Sequence, residues 1–482
     1  MLDLRPVGYV IGLLVTMLGL VMILPMLVDM AEGRGEWHVF LQSGLLTVMI
    51  GGMTALSCHN GVGQGLTIQQ TFLLTTGVWV ALPVFGAIPF MFGESELRVV
   101  DAVFEAMSGL TTTGSTVITG LDDLPKGLLL WRGILQWLGG VGIIVVAMVF
   151  LPELRVGGMQ VFKSEGFDTM GKILPRATQI AGQISTIYVA LTATCMLTYL
   201  ALGMGWFDAV VHAMTTVATG GFANYDASFG AFTGPAEYAA ALFMVLAALP
   251  FVRYVQLVNG HSTPLLQDSQ VRNFLLTIAV LVVITMVTLM TVFPHHWERA
   301  LREALFNITS ILTGTGYASA NYMTWGNFLV MLFFFIGLIG GCAGSTTCSI
   351  KIFRYQILFS SIRTQLQRIR NPNGVFTPRF QGRAISQDVL SSVISFFMLF
   401  VVSIGALSWL LSLTGLDMIT SISGAATAIA NIGPGLGDII GPAGNFAPLN
   451  DAAKWMLSAG MLIGRLELVA VYAILTVQFW RA

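Results

Sequence analysis

VFEAMSGLTTTG (103–114), VVHAMTTVATGG (210–221), LFNITSILTGTG (305–316) and ISGAATAIANIG (422–433) are four twelve-residue strings set about a hundred residues apart. Aligned on the final glycine, each carries a hydroxyl six residues earlier: Ser108, Thr215, Ser310 and Thr427. Each also carries an aliphatic residue four earlier: Leu110, Val217, Leu312 and Ile429. The strings lie in semi-apolar stretches at 101–117, 207–223, 301–318 and 419–437, each about half a membrane long if helical. A repeat of this kind sets the architecture and is read first. The repeated unit is a span, a half-helix, a glycine turn and a second span, four times over.

The spans follow from hydropathy. The chain has 482 residues, of which 55% are hydrophobic and 10% charged, with a mean hydropathy of +0.80. Soluble domains carry roughly a quarter charged residues. Ten apolar runs are long enough to cross a bilayer, near 7–29, 38–57, 69–93, 130–151, 183–204, 235–258, 271–294, 325–361, 388–413 and 451–480. The first run follows Arg5, is of spanning length and lacks a clear small-residue cleavage pattern, so it reads as a membrane helix and not as a cleaved signal. The expected fold is an all-α polytopic membrane protein, with two N-terminal helices in 1–62. Four pore repeats follow in 63–155, 176–260, 268–365 and 385–482, arranged pseudo-fourfold around a central pore.

Loop charge orients the chain. Arg155, Lys163, Lys172, Arg176, Arg253, Arg272, Lys351, Arg354, Arg363, Arg368, Arg370, Arg379 and Arg383 fall in three inter-span segments, which are expected to face the cytoplasm. Both termini are then cytoplasmic. The segments around the half-helices carry Glu94, Glu96, Asp101, Asp122, Asp123, Asp226, Glu237, Asp438 and Asp451, an acidic outer lip that would concentrate cations. A net charge of −1 with no extended basic patch gives no reason to expect a nucleic-acid partner. Cys58, Cys195, Cys342 and Cys348 lack zinc-type spacing and read as small buried thiols.

The glycine turns carry the candidate chemistry. A cation leaving water needs oxygen ligands, and carbonyls of a chain that cannot continue as a helix supply them. Glycine admits φ > 0, and the half-helix before it points its partially negative end at the site. The candidate ligands are Thr112, Thr113 and Gly114; Thr219, Gly220 and Gly221; Gly314, Thr315 and Gly316; and Asn431, Ile432 and Gly433. All are neutral, which favours carbonyl coordination of a monovalent, weakly hydrated cation over a carboxylate ring for calcium. The competing reading is that each glycine permits close helix packing. No nucleotide-binding fingerprint is present, so nucleotide control, if any, comes from a partner.

Two further features stand out. The eighth apolar run is interrupted at GLIGGCAGSTTCSIK (337–351), where Gly340, Gly341, Gly344, Ser345, Thr346 and Thr347 cannot form a lipid-facing helix. This segment reads as a flexible gate beneath the filter or as a packing hinge. In the last run, intramembrane Arg465 either projects beneath the filter, repelling cations or pairing with a gate carbonyl, or forms a salt bridge with an acid such as Glu467.

AMSGLTTTGST (106–116), ATGGF (218–222), GTGYA (314–318), ANIGPGLG (430–437) and GGCAGST (340–346) followed by Lys351 resemble the TrkH/KtrB superfamily of bacterial potassium uptake proteins, the TrkH branch more closely. The resemblance covers essentially the whole chain. It implies a potassium-translocating, non-enzymatic inner-membrane protein resembling four fused potassium-channel subunits. It also implies a homodimer, a cytosolic nucleotide-binding ring of the TrkA kind, and gating roles for Gly340–Thr347 and Arg465. K+ is the expected cargo, with Rb+ and, more weakly, Na+ beside it, and no cofactor is expected in the chain. Transport is either channel-like or coupled, as a symporter, to H+ or Na+. The extra Gly314 is a departure expected to loosen the third turn. The alternatives are a secondary transporter of a small organic solute built on broken helices, and a membrane receptor.

Overall fold

The computed structural model describes residues 3–33, 36–61, 66–149, 177–292 and 296–481. Arg155, Lys163 and Lys172, with Arg176, lie outside the described residues. The fold is helical, and its only strands among the described residues are the short antiparallel pair Arg379–Phe380 and Arg383–Ala384.

Among the described residues, seven helices are long and apolar enough to cross a membrane. They include Arg5–Ala31, Trp37–Cys58, Ile68–Phe92 and Ser269–Val292. An eighth crossing is the pair Pro235–Ala247 and Phe251–Val258, bent by 90°. Pro250, between the two helices, has no amide hydrogen to continue the ladder, so the chain turns there. The expected run at 325–361 is a helix, Asn327–Gly337, an irregular loop, and a second helix, Ile352–Arg370. The expected run at 451–480 also breaks, between Asp451–Arg465 and Val469–Ile474, where Glu467 and Leu468 adopt φ of 56° and 53°. Three of the ten expected spans are therefore broken, and only the eighth break is visible as a glycine run.

Between spans sit four half-helices: Val99–Leu110, Trp206–Val217, Trp297–Leu312 and Met418–Ala430. The last two turns of each are buried. Their N-termini are capped or carry acids, as the helix dipole favours. Asp417 accepts from the Ile419 and Thr420 amides at 3.0 and 3.1 Å. Asp101, Asp208 and Glu298 occupy the first turns of the other three.

Buried and half-buried ion pairs tie the units together. Glu105 of the first half-helix pairs with Arg132 at 2.8 Å, and both are almost wholly buried. Glu105 also accepts from Thr116 Oγ1 and the Val117 amide. Arg132 donates to the Ala223 carbonyl at 2.7 Å and lies over the Phe222 ring. One buried pair thus braces the return legs of the first two turns. Lys454 pairs with Asp101 at 2.5 Å, joining the fourth unit to the first. Arg302 pairs with Glu237, joining the third to the second. Of the expected acidic lip, Asp101, Glu237 and Asp451 are therefore neutralised, the last by Arg98 at 2.8 Å.

Replacing Arg132 by methionine leaves a buried carboxylate without its cation, a loss of about 3–5 kcal/mol. The thermal midpoint of the detergent-solubilised variant should fall well below that of the parent. The double variant Glu105→Gln/Arg132→Met should regain much of the loss. Equal melting of the single variant and the parent would contradict the bracing role.

Candidate functional site

Each half-helix ends in the same way. The residue two before the aligned glycine is left-handed in all four turns: Thr112 at φ 52°, Thr219 at 50°, Gly314 at 73° and Asn431 at 52°. In three turns the next amide reaches back five residues. Thr113 N donates to Ser108 O at 2.9 Å, Gly220 N to Thr215 O at 2.9 Å, and Ile432 N to Thr427 O at 3.0 Å. This is the Schellman termination, which needs a left-handed residue at that point. In the third turn the bond comes one residue later, from Gly316 N to Ser310 O at 3.2 Å. Gly314 therefore sits where the other quarters hold threonine or asparagine in a conformation that costs an L-residue about 1 kcal/mol or more. It relieves backbone strain at a shared position.

The aligned glycines Gly114, Gly221 and Gly316 are left-handed as well, at 86°, 76° and 82°, whereas Gly433 is not. Their neighbours explain the absence of a side chain. A Cβ on Gly114 would lie 2.1 Å from the Gly220 carbonyl oxygen, and one on Gly221 would lie 2.0 Å from that of Thr315. A Cβ on Gly316 would lie 2.6 Å from the Gly433 amide nitrogen, and one on Gly433 would lie 3.2 Å from the Gly114 carbonyl oxygen. First turn meets second, second meets third, third meets fourth, and fourth meets first. The four turns close a ring in chain order.

The ring is braced from outside. Gln136 donates to the Gly220 carbonyl at 2.6 Å and accepts from the Phe222 amide at 3.0 Å. Ser115 donates to the Gly433 carbonyl at 2.8 Å. Asn431 donates to Thr113 Oγ1 at 2.9 Å and to the Met461 carbonyl at 2.8 Å. The shared hydroxyls serve the return legs of two turns. Ser310 donates to the Tyr317 carbonyl at 2.7 Å, and Thr427 to the Pro434 carbonyl at 3.0 Å. Gly114, Gly221, Gly316 and Gly433 all line one open cavity of about 240 Å³, together with Asp226 and the paired Arg132.

The interrupted segment lies against all four units. Cys342 N donates to the Ala248 carbonyl at 3.0 Å and Thr346 Oγ1 to that of Ala247 at 3.1 Å, at the bend of the second unit. Phe251 N donates back to the Gly344 carbonyl at 2.9 Å. Ser349 N donates to the Ala430 carbonyl at 3.1 Å, at the end of the fourth half-helix. Cys348 Sγ lies 3.9 Å from Thr112 Oγ1 of the first turn. The glycines permit this folding. A Cβ on Gly340 would lie 2.0 Å from the Cys348 carbonyl oxygen, one on Gly341 would lie 2.7 Å from Thr347 Oγ1, and Gly344 has φ of 72°. Ser345, Thr346 and Thr347 are buried, and the Ser345 and Thr347 hydroxyls are 2.8 Å apart.

Arg465 is buried and donates to Cys348 Sγ at 2.5 Å, to the Thr346 carbonyl at 3.4 Å and to the Gly139 carbonyl at 3.1 Å. Its guanidinium lies 5.5 Å from the Trp79 ring centre. Glu467 pairs with Arg354. The salt bridge between Arg465 and Glu467 weighed from sequence is therefore not made. Sequence reading passed over Gln136, Arg132 and Ser115, and took Cys348 only as a small buried thiol, which it is, without its contact to Arg465. Arg132 and Gln136 had left a signal, since two polar residues one helical turn apart in an apolar span face an interior.

Four same-handed turns closed into a ring beneath an open cavity, on a membrane-spanning helical scaffold, define a pore-loop membrane transport protein. The TrkH family model, described as a cation transport protein, matches residues 37–479, and the chain belongs to that family. It is 43% identical over 481 residues to the Trk system potassium uptake protein TrkI of Halomonas elongata, covering 99% of this chain and 97% of the relative. It is 36% identical over 489 residues to the Trk system potassium uptake protein TrkH of Escherichia coli (strain K12), covering 99% of each. The crystal structure of the potassium transporter TrkH from Vibrio parahaemolyticus superposes with a TM-score of 0.92 at 32% identity, covering 100% of both chains.

The ring geometry ranks the glycines. Gly114→Ala and Gly221→Ala force a Cβ into a neighbouring carbonyl and should abolish cation uptake at matched expression. Gly433→Ala meets its neighbour at 3.2 Å and should retain part of it. Gly314→Asn, whose Cβ would meet nothing closer than 3.5 Å, should fold and transport with a stability loss of about 1 kcal/mol. Uptake by each variant, measured beside its melting temperature, checks the order.

Proposed function

We propose that this chain is the potassium-translocating subunit of a bacterial Trk-type uptake system, multi-pass in the inner membrane with both termini cytoplasmic. The observation that carries this reading is the closed ring of four neutral turns, each delivered by the C-terminal end of a half-helix. K+ enters the outer cavity, sheds water, and is held by backbone oxygens drawn from Thr112, Thr113, Gly114, Thr219, Gly220, Gly221, Gly314, Thr315, Gly316, Asn431, Ile432 and Gly433. The negative ends of the half-helices add to that stabilisation. No carboxylate stands among these residues, which suits a monovalent cation, with Rb+ and more weakly Na+ as competitors.

In the same proposal the Gly340–Thr347 segment is the gate and Arg465 its latch. Two supports are the burial of the segment between the four units and the donation from Arg465 to the Thr346 carbonyl and Cys348. A positive charge beneath the ring also opposes a resident cation there. The homodimer and the cytosolic nucleotide-binding ring rest on the family likeness, and the exposed Arg363, Arg368, Arg370 and Arg379 offer such a ring a basic face. The organic-solute transporter is not supported. Its folds are usually built from two repeats, often inverted, whereas here four turns close one ring in chain order, and the relatives are named potassium uptake proteins.

Expression of the chain in a bacterium lacking potassium uptake should restore growth on low potassium, and Gly221→Ala should not. In proteoliposomes, Arg465→Ala should raise potassium flux in the absence of any partner. Flux that follows the potassium gradient alone marks channel-like passage, and dependence on a proton or sodium gradient marks symport. Equal sodium and potassium flux in the parent protein would overturn the potassium assignment.

A further inference from the structure

A large apolar cavity lies away from the ring. It measures about 450 Å³ and sits between the first helix (Arg5–Val21), the third span (Ile68–Gly86) and the helix Lys126–Val149. Its lining residues, among them Met17, Val78 and Gly142, lie in the middle of those helices and so at membrane depth. The mouth is formed by exposed Leu14 and Met17, and the inner wall by buried Leu74, Trp79, Leu110 and Gly139. Only two hydroxyls line it. Thr75 donates to the Thr71 carbonyl at 2.8 Å and Ser185 to the Ala181 carbonyl at 2.9 Å, so each is spent on its own helix.

Nothing in such a wall holds water, which needs two or more polar partners. An empty void of this size would forfeit dispersion contacts along its whole surface. The mouth opens between membrane-spanning helices at membrane depth, where the abundant apolar matter is lipid hydrocarbon. An apolar cavity of about 150 Å³ admits one benzene. On that scale this one takes a chain of roughly eighteen carbons, the size of one acyl tail.

We propose that this cavity is a binding site for one acyl chain of a membrane phospholipid. The inner wall gives the site its reach. Leu110 is the last residue of the first half-helix, the Gly139 carbonyl accepts from Arg465, and the Trp79 ring faces the Arg465 guanidinium. The bound tail completes the packing behind Leu110 and behind the two inner-wall groups, Gly139 and Trp79, that contact Arg465. The site is defined by shape and apolarity and does not depend on which ion crosses the pore.

Gly142 provides the test. A Cβ there would meet only Trp79, at 3.9 Å, so a larger side chain can grow into the cavity without forcing the backbone. The full chain is reconstituted in phospholipid vesicles doped with a phospholipid bearing a diazirine near the methyl end of one acyl chain, then irradiated and mapped by peptide mass spectrometry. Label should concentrate on the 74–82 and 138–146 peptides, several-fold above the lipid-facing helix Ser269–Val292 in the same sample. Gly142→Phe should reduce the cavity label several-fold and leave the Ser269–Val292 label unchanged. Met17→Trp, at the exposed mouth, should do the same should Gly142→Phe prove unstable. Cavity label no higher than on Ser269–Val292, or unaffected by both fillings, would overturn the proposal.

Discussion

The carbonyl oxygen of one turn occupies the place where its neighbour's side chain would begin. That contact, made by Gly114 against Gly220 and by Gly221 against Thr315, closes the ring and leaves no room for a methyl group. The rest of the molecule serves it. Half-helices must end together at one depth, so each terminates through a left-handed residue. The freed backbone cannot face lipid, so spans from every unit must surround it. The return legs must be held, and buried polar groups hold them: Gln136, Ser115, and the Glu105–Arg132 pair.

The ring is pseudo-symmetric because four linked units can diverge where four identical subunits cannot. The first and third turns each place two threonine hydroxyls within hydrogen-bonding distance, Thr111 with Thr113 and Thr313 with Thr315. The fourth uses the Asn431 side chain to reach across to the first. The third carries both a glycine at the left-handed position and the interrupted helix below. That interruption is accommodated by another irregularity, since the bend at Pro250 exposes the Ala247 and Ala248 carbonyls that accept from the interrupted segment. Two breaks in neighbouring units satisfy one another, as backbone at membrane depth requires.

Burial of charge follows the same economy. Lys454 and Arg302 each meet a carboxylate across a unit boundary, and Arg132 meets one within its own unit. Arg465 meets carbonyls and a thiol and no carboxylate, leaving its charge uncancelled close beneath the ring. An unpaired buried cation is costly in a structural role, which sets Arg465 apart from the other three.

The sequence by itself determined the class and the count. Hydropathy marked ten apolar runs, loop charge gave an expected orientation, and four aligned glycines marked the turns, because these properties are local and repeat along the chain. The hydroxyl register was legible for the same reason, although its purpose at Ser310 and Thr427 was not. Tertiary structure alone decided which turn touches which, the breaks at Pro250 and Glu467, and the partner of Arg465. Glu467 is two residues from Arg465 in the chain, yet it pairs with Arg354, more than a hundred residues away. Such pairings depend on the angles at which helices enter and bend, and those angles are set by packing between units that no single segment records.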